Sequence, residues 1–128
     1  MKKKIAFIGF MIAIVLLVRP YVHQYQTLHN HNRAIGEISI DDVDISSLED
    51  GVYEGFYETV LVQALVTVEV EGGEIVEIDL DHTHERGYGA HEIIERVKEE
   101  QSLVVDMISG ATDSSKTILE AIQRAIIQ

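Results

Sequence analysis

Between Val66 and Leu80 the chain alternates apolar and polar residues through two arms with Gly72-Gly73 between them, and no other stretch limits its fold so narrowly. Val66, Val68 and Val70 fall on one face of an extended segment, Thr67, Glu69 and Glu71 on the other. After two glycines that tolerate positive φ, Val76, Ile78 and Leu80 are expected inward and Glu77, Asp79 and Asp81 outward. A period of two in both arms describes an antiparallel hairpin with one buried and one wet face.

The flanks extend this unit. Upstream, "VYEGFYETV" with Tyr53, Phe56 and Tyr57 is β-prone. Downstream the period changes: Ala90, Ile93, Ile94 and Val97 mark one stripe of a helix ending near Gln101. A last helix carries Ile118, Ala121, Ile122, Ala125 and Ile126, with Asp113, Ser114 and Ser115 in its first turn. The expected fold class is α+β, a small antiparallel sheet with two packed helices, preceded by an N-terminal membrane helix.

That membrane helix is read from "MKKK" followed by fourteen apolar residues, Ile5 to Val18, and closed by Arg19-Pro20. Fourteen helical residues cover only ~21 Å, against ~30 Å of hydrocarbon, and lysine snorkelling, Tyr21 and Val22 extend the reach. "VRPYVHQYQ" lacks the small residues of a cleavage site, so residues 1–22 are expected to be an uncleaved signal-anchor, a cleaved signal being the alternative. Lys2 to Lys4 would then stay in the cytoplasm, making a single-pass protein of the cell membrane with its domain on the extracytoplasmic side. Residues 23–48 read as a stalk in which His23, His29 and His31 are expected to be solvated, and residues 49–128 as the folded domain.

Charge narrows the partners. Five of the ten cationic residues lie in residues 1–33, which hold no acid, leaving five against 22 acids from Ala34 onward, a net of −17. Nucleic-acid binding rests on neutralising phosphates, so no nucleic-acid partner is expected. Without cysteine there is neither a disulfide framework nor an all-cysteine iron–sulfur site. His82 and His84 share a strand face and with His91 offer three imidazoles, but strand-plus-helix ligation is a minor alternative and no metal is expected. No nucleophile–base pair or paired catalytic carboxylates stand out, so neither a catalytic residue nor independent substrate turnover is expected.

"VDMISGATDSS" carries the chemistry. Ser109, Gly110, Ala111 and Thr112 stand together where the last helix begins. A helix N-terminus has unpaired N–H groups and the positive end of the macrodipole, and small residues before it let an anion reach the backbone. By themselves these residues describe a plain helix cap better than an anion site.

Asp106-Met107-Ile108-Ser109-Gly110-Ala111-Thr112 resembles the D-x-x-[ST]-G-A-T flavinylation motif of the FMN-binding domain family, which includes the C subunit of sodium-pumping NADH:quinone oxidoreductase and the G subunit of the Rnf complex. The similarity runs from "DGVYEG" at Asp50 to the last helix. The resemblance implies FMN joined through its phosphate to the Thr112 hydroxyl by an exported flavin transferase, with Asp106 serving that transferase and Ser109, Gly110 and Ala111 receiving the phosphate. Related domains also carry a Glu-Thr-Pro-Gly-x-Gly loop near the flavin ring. Gly87-Tyr88-Gly89 matches its end, whereas His84, Glu85 and Arg86 replace its beginning. Gly87 and Gly89 permit close approach, and Tyr88 offers an aromatic face. The expected function is a membrane-anchored, extracytoplasmic flavoprotein relaying electrons between a membrane redox donor and an outside acceptor. The alternatives are an exported non-redox binding or regulatory module and a domain that binds FMN non-covalently.

Overall fold

The structure, a computed structural model, describes residues 1–83 and 89–127, the side chain of Lys2 excepted. The hairpin forms as β2 (Gln63–Glu71) and β3 (Glu74–Thr83), and β1 (Gly51–Glu58) pairs antiparallel with the free edge of β2, giving the order β1-β2-β3. Gly72 and Gly73 both take positive φ, 61° and 78°, as a two-residue hairpin turn requires. Ala64, Val66, Val68 and Val70 are fully buried on one face of β2, while Gln63, Leu65, Glu69 and Glu71 are exposed on the other.

One arm departs from its expected register. Val70 pairs with Ile75 but Glu69 pairs with Glu77, so Val76 is an extra residue on β3. This bulge turns Ile75 into the core and leaves Val76 exposed, where simple alternation puts Val76 inward. Ile78 is buried and Leu80 half-buried on the expected side.

Two helices cover the buried face. α3 (Thr112–Ile126) lies across β1 and β2, and the shorter α2 (Glu92–Glu100) reaches β3 and α3. Every residue of both expected stripes is buried. In α3, Ser114, Ser115, Thr117 and Leu119 are buried as well, because that helix also meets α1 and α2. Burying each large aliphatic side chain contributes ~1.5–3 kcal/mol, so this one layer of valines, isoleucines and leucines holds the domain.

α1 (Lys2–Glu37) is one helix of 36 residues, ~54 Å long, and is long and apolar enough to cross a membrane. Pro20 lies inside it and cannot donate to the carbonyl four residues back, yet the helix continues beyond it. It runs through the expected boundary between anchor and stalk, and its last turns dock on the domain, burying His31 and Ile35. The segment after α1 then follows α3: Gln123 donates to the Ser39 carbonyl (3.1 Å) and accepts from the Asp41 N–H (2.7 Å).

Candidate functional site

The beginning of α3, the end of α1 and the β1–β2 turn enclose a cleft of about 800 Å³, within the ~300–1,000 Å³ typical of small-molecule sites. Gly110, Ala111, Thr112, Asp113 and Ser114 line it from the motif. Leu28, His31 and Asn32 line it from α1, Val60 and Leu61 from the turn, and Thr83 from the end of β3.

Local chemistry explains how the motif reaches this position. Ala111 N–H donates to the Ile108 carbonyl (3.0 Å), closing a turn, and Gly110 holds φ at +80° inside it. The buried Ser115 hydroxyl reaches back to accept from Ile108 N–H (3.2 Å). Arg96 of α2 donates to the Asp106 carbonyl (2.8 Å) and fixes the head of the motif. The motif is thus tied at three points while Ser109, Gly110 and Thr112 stay exposed.

The small and hydroxylated run does not serve as a side-chain cap. Ala111 occupies the N-cap position of α3, and its methyl side chain makes no cap hydrogen bond. The positive end of the helix therefore faces the cleft with the Thr112 hydroxyl at its first position. Among the described residues lining the cleft there is no Lys or Arg, and Asp113 adds an acid. Among the described residues, backbone N–H groups and the helix dipole are what would meet an anion there.

Asp113 is held by His31. Nε2 of His31 lies 3.0 Å from Asp113 Oδ2 and Nδ1 lies 3.0 Å from Thr59 Oγ1, with the imidazole only 4% exposed. Nε2–H donates to the carboxylate, Nδ1 and the Val62 carbonyl (3.3 Å) share the Thr59 hydroxyl, and the oxygen of that hydroxyl accepts from Val62 N–H (3.1 Å). His31 is therefore not a solvated stalk residue. Its partners lie 28 and 82 positions away in sequence, and a local pattern cannot reveal them. His23 and His29 are exposed, His29 stacked on Tyr25.

Of the expected site residues, Gly110, Ala111 and Thr112 come together in the cleft, with exposed Ser109 next to them. Asp106 is exposed and does not line it. Gly89 takes φ +89° shortly before α2, whereas Gly87 and Tyr88 fall outside the described residues. His82 and His91 meet edge to face at 5.9 Å, and His84 lies outside the described residues. Leu28, His31, Asn32, Thr59 and Asp113 are site residues that sequence reasoning missed.

The FMN-binding domain family profile matches residues 61–127, from the tip of the β1–β2 turn to the end of α3. No curated protein matches the chain.

Proposed function

The chain belongs to the FMN-binding domain family, and from that premise we propose that it is a membrane-anchored electron carrier whose FMN is esterified to Thr112. It joins an FMN-binding domain to a helix long and apolar enough to cross a membrane. The observation that carries the finer reading is the Thr112 hydroxyl, exposed at a helix N-terminus, on a cleft of flavin size, in the sequence Asp-Met-Ile-Ser-Gly-Ala-Thr.

The residues fit the tethered group. The Thr112 oxygen would become one substituent of the flavin phosphorus, and the α3 dipole with nearby N–H groups would favour the remaining negative charge. A domain at −17 with no described cation in its cleft attracts a free anion poorly, which favours a covalent tether over simple binding. Bound FMN supplies the redox chemistry; the chain supplies tether, cleft and position. With only about eighty residues in the domain, donor and acceptor sites would lie on other proteins, a membrane redox donor and an extracytoplasmic acceptor. Lys2 to Lys4 favour the orientation that leaves the domain outside, where an exported flavin transferase would load it.

Intact mass after co-expression with an exported flavin transferase tests the tether. Wild type should gain one FMN less one water, Thr112→Ser should keep that gain in part, and Thr112→Ala should gain nothing. A wild type of unchanged mass, beside a control protein that the transferase labels, would end the covalent reading. Flavin released on denaturation would then mark simple binding.

A further inference from the structure

Three side chains of the cleft, Leu28, His31 and Asn32, come from α1, outside the residues that the family profile matches. We propose that the end of the anchor helix is a wall of the flavin cleft, pinned there by His31, and that Leu28 with Val60 and Leu61 covers the flavin ring. This rests on the reading that FMN is carried on Thr112.

The pin is built. An imidazole 4% exposed, with both nitrogens partnered, loses both of these hydrogen bonds if α1 departs. Its partners are the two other walls: Thr59 begins the β1–β2 turn, and Asp113 immediately follows Thr112. One ring therefore sets the width of the cleft. It also controls charge. A carboxylate beside an attached phosphodiester is repelled by it, and donation from Nε2–H to Asp113 Oδ2 offsets that repulsion and holds the acid in a fixed direction.

The cover is apolar and open. Leu28, Val60 and Leu61 are 46%, 60% and 41% exposed along the same cleft as Thr112. A flavin tethered at Thr112 is the occupant already at hand, and its ring has a flat apolar surface to bury there. Asn32 adds an amide for the polar edge of the ring. His31 is accordingly a positioning residue: it acts on the flavin through the placement of α1 and Asp113.

The test is acrylamide quenching of flavin fluorescence in the full-length, flavinylated protein, because a neutral quencher is blind to the acidic surface. The tryptic flavopeptide spanning residues 99–116 gives the value for a fully exposed flavin. Wild type should be quenched at least threefold less than this peptide. Leu28→Ser and His31→Ala should each raise quenching at least twofold. His31→Gln, able to donate to Asp113 and to accept from Thr59, should stay near wild type. Equal quenching in wild type, Leu28→Ser and His31→Ala would overturn the proposal. So would a wild type already quenched like the peptide. Should His31→Ala lose its fold by circular dichroism, Leu28→Ser decides, since its side chain is half exposed and its loss spares the core. A wild type that gains no FMN mass would remove the covalent reading and this inference with it; a flavinylated wild type with unshielded flavin would remove only this inference.

Discussion

A single missing methyl group decides how α3 meets the sheet. Gly55 is buried on β1, and a Cβ there would press on the Ala121 carbonyl oxygen and lie 2.7 Å from Ala125 N and 2.8 Å from Ala125 Cβ. Two of these atoms belong to helix backbone and cannot rotate away, so α3 itself would have to shift. Gly55→Ala should therefore destabilise by about 1–3 kcal/mol, the usual range for overpacking, despite the better strand propensity of alanine. Urea unfolding checks this, with Gly36→Ala as the control, since a Cβ at Gly36 meets nothing within 4 Å. At this scale little was legible beforehand. "VYEGFYETV" is recognisably β-prone, but which helix lies over its glycine is a long-range fact.

At the scale of elements, periodicity is a strong guide where each element has one buried face. β2 and the stripes of α2 and α3 follow it residue by residue. It fails at β3, because the bulge at Val76 leaves no mark in the alternation, and at the end of α1, because a polar stretch conceals the buried His31 and Ile35. The motif at the start of α3 was legible; the wall that α1 lends to the cleft was not, since its ties are to residues far along the chain. Attachment of α2 to β3 shows a second tie of this kind. Gln101, left-handed at φ 49°, donates to the Ile75 and Lys98 carbonyls (2.9 and 2.8 Å) and accepts from Ile75 N–H (2.8 Å). It stands in for a missing strand neighbour beside the bulge. Gln101→Ala should cost about 1–3 kcal/mol, as expected for partly buried backbone groups left unpaired, and should speed hydrogen exchange at Ile75. A nearby contact carries the pH dependence. The Ile78 N–H first, and then Lys98, hold the Glu77 carboxyl below its ordinary range. A lowered folded pKa means stabilisation that is complete above the unfolded value and fades as pH falls through the folded one. Glu77→Gln should thus lower the urea midpoint at neutral pH, and the difference should close in acid.

For the whole molecule, α1 runs from an apolar segment long enough to cross a membrane to the cleft without a break. His31 follows Val18, the last residue of the apolar run, by thirteen positions, which is ~20 Å of helix. Such a helix, docked at its end, orients the domain, whereas an irregular linker would leave it to tumble. The same chain concentrates −17 of net charge in residues 34–128. Two electrostatic effects then compete. Self-repulsion acts across the whole domain and is nearly unscreened at ~0.01 M salt, where the Debye length is ~30 Å, but strongly screened at ~0.15 M, where it is ~8 Å. Exposed pairs such as Arg33–Glu37, Lys98–Glu77 and Arg124–Glu120 weaken over the same range, yet each contributes only ~0–1 kcal/mol. With 22 acids against five cations, repulsive terms outnumber attractive ones, so added salt should stabilise. The Tm of the full chain in neutral detergent should rise between these two salt concentrations, each kcal/mol of relieved repulsion adding about 4–8 °C for a domain of this size. A falling Tm would mean that the few ion pairs, among them Lys98–Glu77 between α2 and β3, outweigh the net charge. The acidity would then be a local feature of the exposed sheet face and would do little to keep free anions from the cleft.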